Sequence, residues 1–106
     1  MNHRIKILVM AMLAAALAAP VFAQNGADIY KAKCAMCHGP DGTASTPMGK
    51  MMKIPSFKST EVVKVSEASL VAFTKDGKGK MPAYKGKLTD SQIKDVIAYI
   101  RTLQKK

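Results

Sequence analysis

Residues 34–38 read CAMCH, which gathers both cysteines of the chain and one of its two histidines into five positions. Two thiols so placed could close a disulfide, as oxidising compartments favour. A bridge across two intervening residues, however, removes little entropy from the unfolded chain and is a poor staple. They could act as a thioredoxin-type dithiol, but that motif wants a βαβ setting, and no such pattern surrounds them. They could open a zinc site, yet structural zinc takes four ligands. Once a leader carrying His3 is set aside, Cys34, Cys37 and His38 are the only donors of the usual soft kind.

The remaining chemistry is covalent haem attachment, for which C-x-x-C-H is the sequence signature. Two thiols three positions apart on a helical turn reach the two vinyl groups of one porphyrin, and the next residue then lies under the iron. Cys34 and Cys37 become thioethers of one haem c, and His38 becomes an axial ligand.

What the iron does depends on its other face: an open position permits gas binding or peroxide chemistry, whereas a protein ligand leaves only electron exchange. Beyond the leader there is no second histidine, but there are Met36, Met48, Met51, Met52 and Met81. Met36 lies inside the attachment turn and cannot reach the opposite face. Met48, Met51 and Met52 follow the motif, where flexible apolar filling is the ordinary role of methionine. Met81 stands in GKGKMPAYKGK, where glycines let a backbone pass close to a flat ring and Pro82 stiffens the following residue. Standing 43 positions apart, His38 and Met81 have ample chain to run around a ring edge. Met81 is the expected sixth ligand.

The elements that would hold these groups are helical. In LTDSQIKDVIAYIRTLQKK, Thr89 and Gln92 form a capping box and Leu88 with Ile93 a hydrophobic staple. Ile93, Val96, Ile97, Ile100 and Leu103 then keep helical spacing. A second helix is expected from an Asn25 cap through GADIYKAKCAM, with Ala27, Tyr30 and Cys34 on one face. A third fits SEASLVAFTKDG, capped by Ser66, ended by Gly77 and burying Leu70, Val71 and Phe73. EVVKV is ambiguous between a helical turn and a strand. Residues 38–60 and 77–87 read as irregular, and loops this long in a small domain usually wrap something or carry function. No alternating hairpin pair appears, so the fold class is all-α.

The chain opens with basic MNHRIK, a 13-residue apolar run and a small-residue ending at Ala23, the pattern of a cleaved secretory signal over residues 1–23. The run is shorter than the roughly 20 apolar residues a bilayer core requires, which argues against a lasting anchor. Residues 24–106 then form one domain of 83 residues, near the lower limit for an apolar core alone, so a cofactor that supplies core is expected. This domain carries 15 basic and 7 acidic residues. Export, few aromatics and the lack of an arginine cluster argue against nucleic acid, leaving acidic protein partners. Lys75, Lys78, Lys80, Lys85 and Lys87 gather around Met81.

The stretch from GADIYKAKCAMCHG to KGKMPAYKGKLTDSQIKDVIAYIRTL resembles the class I cytochrome c family, in particular its small bacterial monohaem members. That resemblance implies three to five short helices wrapped around one covalent haem, with the first and last helices crossing near Gly26, Tyr30, Val96 and Tyr99. It implies that a proline carbonyl meets the distal nitrogen of the axial histidine, a role Pro47 fits better than Pro40. It also implies a periplasmic or otherwise exported monomer that is not an enzyme, carrying single electrons between acidic redox proteins such as a reductase, oxidase or dehydrogenase. The alternative is a haem sensor or peroxidase with an open iron site. The chain departs from larger family members in its short middle section and its lack of tryptophan.

Overall fold

A computed structural model of the protein describes residues 25–106; the leader expected over 1–23 lies outside the described residues. Six helices follow one another: α1 (Gly26–Lys33), α2 (Ala35–His38), α3 (Pro47–Met51), α4 (Thr60–Val63), α5 (Glu67–Asp76) and α6 (Asp90–Gln104). Among the described residues there are no strands, only two isolated bridges, Lys78 with Met81 and Lys85 with Leu88. None of these helices is long and apolar enough to cross a membrane.

Local chemistry accounts for several helix ends. Asn25 Oδ1 accepts from the Asp28 N–H at 2.9 Å, and Ser66 Oγ accepts from the Ser69 N–H at 3.1 Å. The Thr89 and Gln92 box is complete, with side chain to backbone bonds of 3.1 and 2.8 Å. Gly77 ends α5 at φ +83°, a conformation glycine adopts without penalty. The first expected helix is divided at Cys34, whose φ of −118° departs from helical values, so the attachment turn becomes α2. The EVVKV ambiguity resolves as the helical turn α4.

The core is built where α1 and α6 cross. Ile29 and Tyr30 meet Ile93, Val96, Ile97, Ile100 and Leu103, joined by Cys34 and Phe57. Ala27, expected on the buried face, is exposed, and Ile29 takes that place. Gly26 lies at the crossing: a Cβ there would run into the Asp95 carbonyl and stand 3.2 Å from Tyr99 Cβ. Tyr30 and Tyr99 pack with ring centroids 5.3 Å apart, so the crossing expected from the resemblance is present. Leu88 packs against the core that Ile93 enters, as the staple requires.

Two further ties hold the middle of the chain to this frame. Arg101 donates to the Val63 and Val65 carbonyls, and Gln104 Nε2 donates to the Phe57 carbonyl at 3.0 Å. Tyr30, fully buried, donates its hydroxyl to the Gly39 carbonyl at 2.6 Å, joining the core to the chain just after the attachment turn. Replacing Tyr30 by Phe keeps the ring and deletes that donor. The expected cost is about 1 kcal/mol, read as a lower guanidinium midpoint with an unchanged slope.

Candidate haem site

One cavity of about 470 Å³ lies beside the crossing, a volume within the range of small-molecule and cofactor pockets. Its wall brings together Cys34, Cys37, His38 and Met81, four residues drawn from the two segments that the sequence marked. A smaller void of about 60 Å³ continues inward, bordered again by Cys34, His38 and Met81 and closed by Val96, Ile97 and Ile100 of α6.

The attachment turn is positioned by the helix break at Cys34. Cys34 N–H still donates to the Tyr30 carbonyl at 2.8 Å, while His38 N–H donates to the Cys34 carbonyl at 3.0 Å, so the turn stays helical but reoriented. Cys34 is buried and Cys37 half-buried. Burial, with a smaller contribution from Cys37, pushes the Cys34 thiol up to about 11, so before attachment it stays protonated at neutral pH. Burial also lowers the His38 pKa, which favours the neutral imidazole a metal requires. The His38 ring stacks on Phe57 at 4.4 Å between centroids.

The opposite wall is a turn closed on itself. Lys78 N–H donates to the Met81 carbonyl at 3.1 Å and Met81 N–H to the Lys78 carbonyl at 3.0 Å. Gly77 is required here twice, for its positive φ and because a Cβ would stand 3.0 Å from the Met81 carbonyl oxygen. The glycine thus lets backbone pass close to backbone. Gly79 has nothing within 4 Å of a Cβ.

Pro47 is the first residue of α3, an exposed position suited to proline because the missing N–H would have no helical partner there. Nδ1 of the His38 ring is buried without a hydrogen-bond partner among the described residues. The start of α3 lies against the attachment turn, since Thr46 Oγ1 donates to the Cys37 carbonyl at 3.1 Å and caps α3 through Gly49 N–H at 3.0 Å. Gly49 allows this, because a Cβ there would meet the Cys37 carbonyl oxygen at 2.6 Å.

Haem fits the residues present. The cavity is framed by two thiols, an imidazole with an orphaned buried nitrogen, and a thioether, and otherwise mainly by apolar side chains such as Leu70 and Phe73. Those two, expected in the core, are only half-buried because they face this cavity. Sequence reasoning missed Tyr84, Lys33 and Lys53, which also line it. Of the five lysines gathered near Met81, Lys78 and Lys80 border the cavity. Lys78 Nζ rests 4.0 Å from the Phe73 ring, and Lys75 pairs with Asp90 at 3.2 Å.

The profile of the family described as cytochrome C oxidase, cbb3-type, subunit III matches residues 22–100. Cytochrome c6 of Thermosynechococcus vestitus is 36% identical over 93 residues, covering 88% of this chain and 79% of the relative. Cytochrome c6 of a Nostoc species is 34% identical over 97 residues, covering 89% and 85%. Among solved structures, the c-type cytochrome KustC0563 superposes with a TM-score of 0.70 at 26% identity, over 76% of this chain and 99% of that one.

Proposed function

Since the chain belongs to the class I c-type cytochromes, carries one covalently attached haem c and is an electron carrier, we propose that it shuttles single electrons through a six-coordinate His38 and Met81 site between membrane-associated partners. The supporting observation is that one cavity, with its inner extension, has both His38 and Met81 in its wall. Bound haem supplies a one-electron couple at iron. Cys34 and Cys37 fix the ring to α1 and α2, and His38 offers a neutral nitrogen donor. The Met81 turn brings a soft sulfur that favours the ferrous state, while Leu70 and Phe73 keep water out; both effects raise the potential. A donor set complete in both oxidation states demands little rearrangement, which suits fast exchange. For the His38 Nδ1 proton, the Pro47 carbonyl remains the proposed acceptor, on the strength of the Thr46 bond that keeps the start of α3 against the attachment turn.

Export through the leader over 1–23 and a monomeric state belong to the same reading. Lysines 33, 53, 78 and 80 border the cavity, and Met36, 76% exposed, offers an apolar contact on the attachment turn. This face suits a partner with an acidic rim, and such steering weakens as salt shortens the Debye length to about 8 Å at physiological strength. The rate of electron transfer to a membrane reductase or oxidase is expected to fall as salt is added, and a salt-independent rate would remove the steering role. The closed site is tested by exposing the native ferrous protein to carbon monoxide. No spectral change is expected; binding without prior denaturation would instead support a sensor or peroxidase.

A further inference from the structure

Most bonds that shape the Met81 segment are local. Besides the paired bonds between Lys78 and Met81, the Tyr84 and Lys85 N–H groups donate to the Thr74 and Lys75 carbonyls at 3.0 Å each, fastening its exit to the last turns of α5. These bonds keep the segment on α5, but none of them reaches the attachment side. Among the described residues one hydrogen bond does: Tyr84 donates its hydroxyl to the Lys33 carbonyl at 3.0 Å, across 51 positions of sequence.

The acceptor is not arbitrary. Lys33 is the last residue of α1, and the break at Cys34 directs the Cys37 N–H to the Cys34 carbonyl at 3.2 Å. No backbone donor reaches the Lys33 carbonyl from the attachment turn among the described residues, which is the usual fate of a helix-terminal carbonyl. The Tyr84 hydroxyl fills that position. Its ring lines the haem cavity three residues from Met81, so the same side chain joins the thioether wall to the residue preceding the first attachment cysteine.

We propose that Tyr84 is a positioning residue, a latch that holds the Met81 turn against the attachment turn and thereby sets how readily Met81 yields the iron to an outside ligand. The proposal rests on the reading of Met81 as sixth ligand. An incoming ligand binds only the fraction of molecules in which Met81 has let go, so its apparent affinity scales with that fraction. Removing one neutral hydrogen bond that stabilises the closed turn raises that fraction about fivefold.

The test uses ferric holoprotein titrated with imidazole, following the Met-to-iron absorption band at the red end of the spectrum. Tyr84→Phe is expected to retain the band without imidazole and to bind imidazole about fivefold more tightly than the unmutated protein. Thr89→Ala, which breaks the capping box of α6 and leaves both partners of the Tyr84 and Lys33 bond in place, controls for general destabilisation and is expected to leave imidazole affinity unchanged. A normal band with unaltered affinity in Tyr84→Phe overturns the latch alone, as does an equal gain in Thr89→Ala. An unmutated protein lacking the band overturns the Met81 reading and the latch together.

Discussion

Replacing Met81 by Ala is expected to abolish the Met-to-iron band, let carbon monoxide bind the ferrous protein, and lower the midpoint potential on the order of 100 mV or more, within the roughly 0.8 V over which axial ligands set haem potentials. The turn carrying Met81 is closed by its own backbone bonds, so an alanine there removes the sulfur while leaving the Lys78 and Met81 bridge able to form. Met52 supplies the control. It too lines the cavity, on the segment after α3, and by sequence its role is apolar filling. Met52→Ala is expected to keep the band and the closed site. If the band instead survives in Met81→Ala and vanishes in Met52→Ala, the ligand assignment is reversed. Visible spectra of the two variants, with and without carbon monoxide, decide the matter in one experiment.

The second large effect is expected at Gly26. A valine there places a branched side chain where even a Cβ meets the Asp95 carbonyl, which is backbone and cannot rotate away. Helices α1 and α6 must separate, and with them the Tyr30 and Tyr99 packing and the contacts of Ile29, Ile93, Val96 and Ile97. A loss of about 3 kcal/mol or more is expected, a large part of the roughly 5–15 kcal/mol that holds a typical domain. Guanidinium unfolding of the holoprotein measures it. Gly79→Ala is the useful contrast, because that position has φ +58° but open space around it, and its cost is expected to be only about 1–2 kcal/mol of backbone strain.

Much of this arrangement was legible in the residues, for reasons that are local. Asn25, Ser66, Gly77 and the Thr89 with Gln92 pair act on backbone groups within four positions, so their roles survive whatever the rest of the chain does. CAMCH announces its chemistry by spacing alone, and the glycine and proline context of Met81 marks a segment that lines the cavity. The helix α3 lies in a stretch that reads as irregular, although its signal is there: threonine followed by proline, Thr46 and Pro47, is a cap with a first-turn residue. The buried face of α1 was misjudged by one step, because periodicity defines an apolar stripe but not which part of it meets a partner; Ile29, not Ala27, points to α6. Leu70 and Phe73 are apolar at core spacing yet face the cavity, a distinction that hydropathy does not carry. The ties made by Tyr84, Arg101 and Gln104 bridge 36 to 51 positions and left no mark in the local pattern.

The close approach of Gly26 to Asp95 also bears on how the chain reaches this shape. It joins segments about 70 residues apart, the kind of contact whose loop-closure entropy makes folding slow. On the proposed reading, a porphyrin bonded at Cys34 and Cys37 and held by Met81 would leave only about 20 residues of free chain to close, lowering that entropic penalty by about 1 kcal/mol. The prosthetic group would then shorten the search as well as carry the charge, and the speed of refolding would depend on the oxidation state and ligands of its iron.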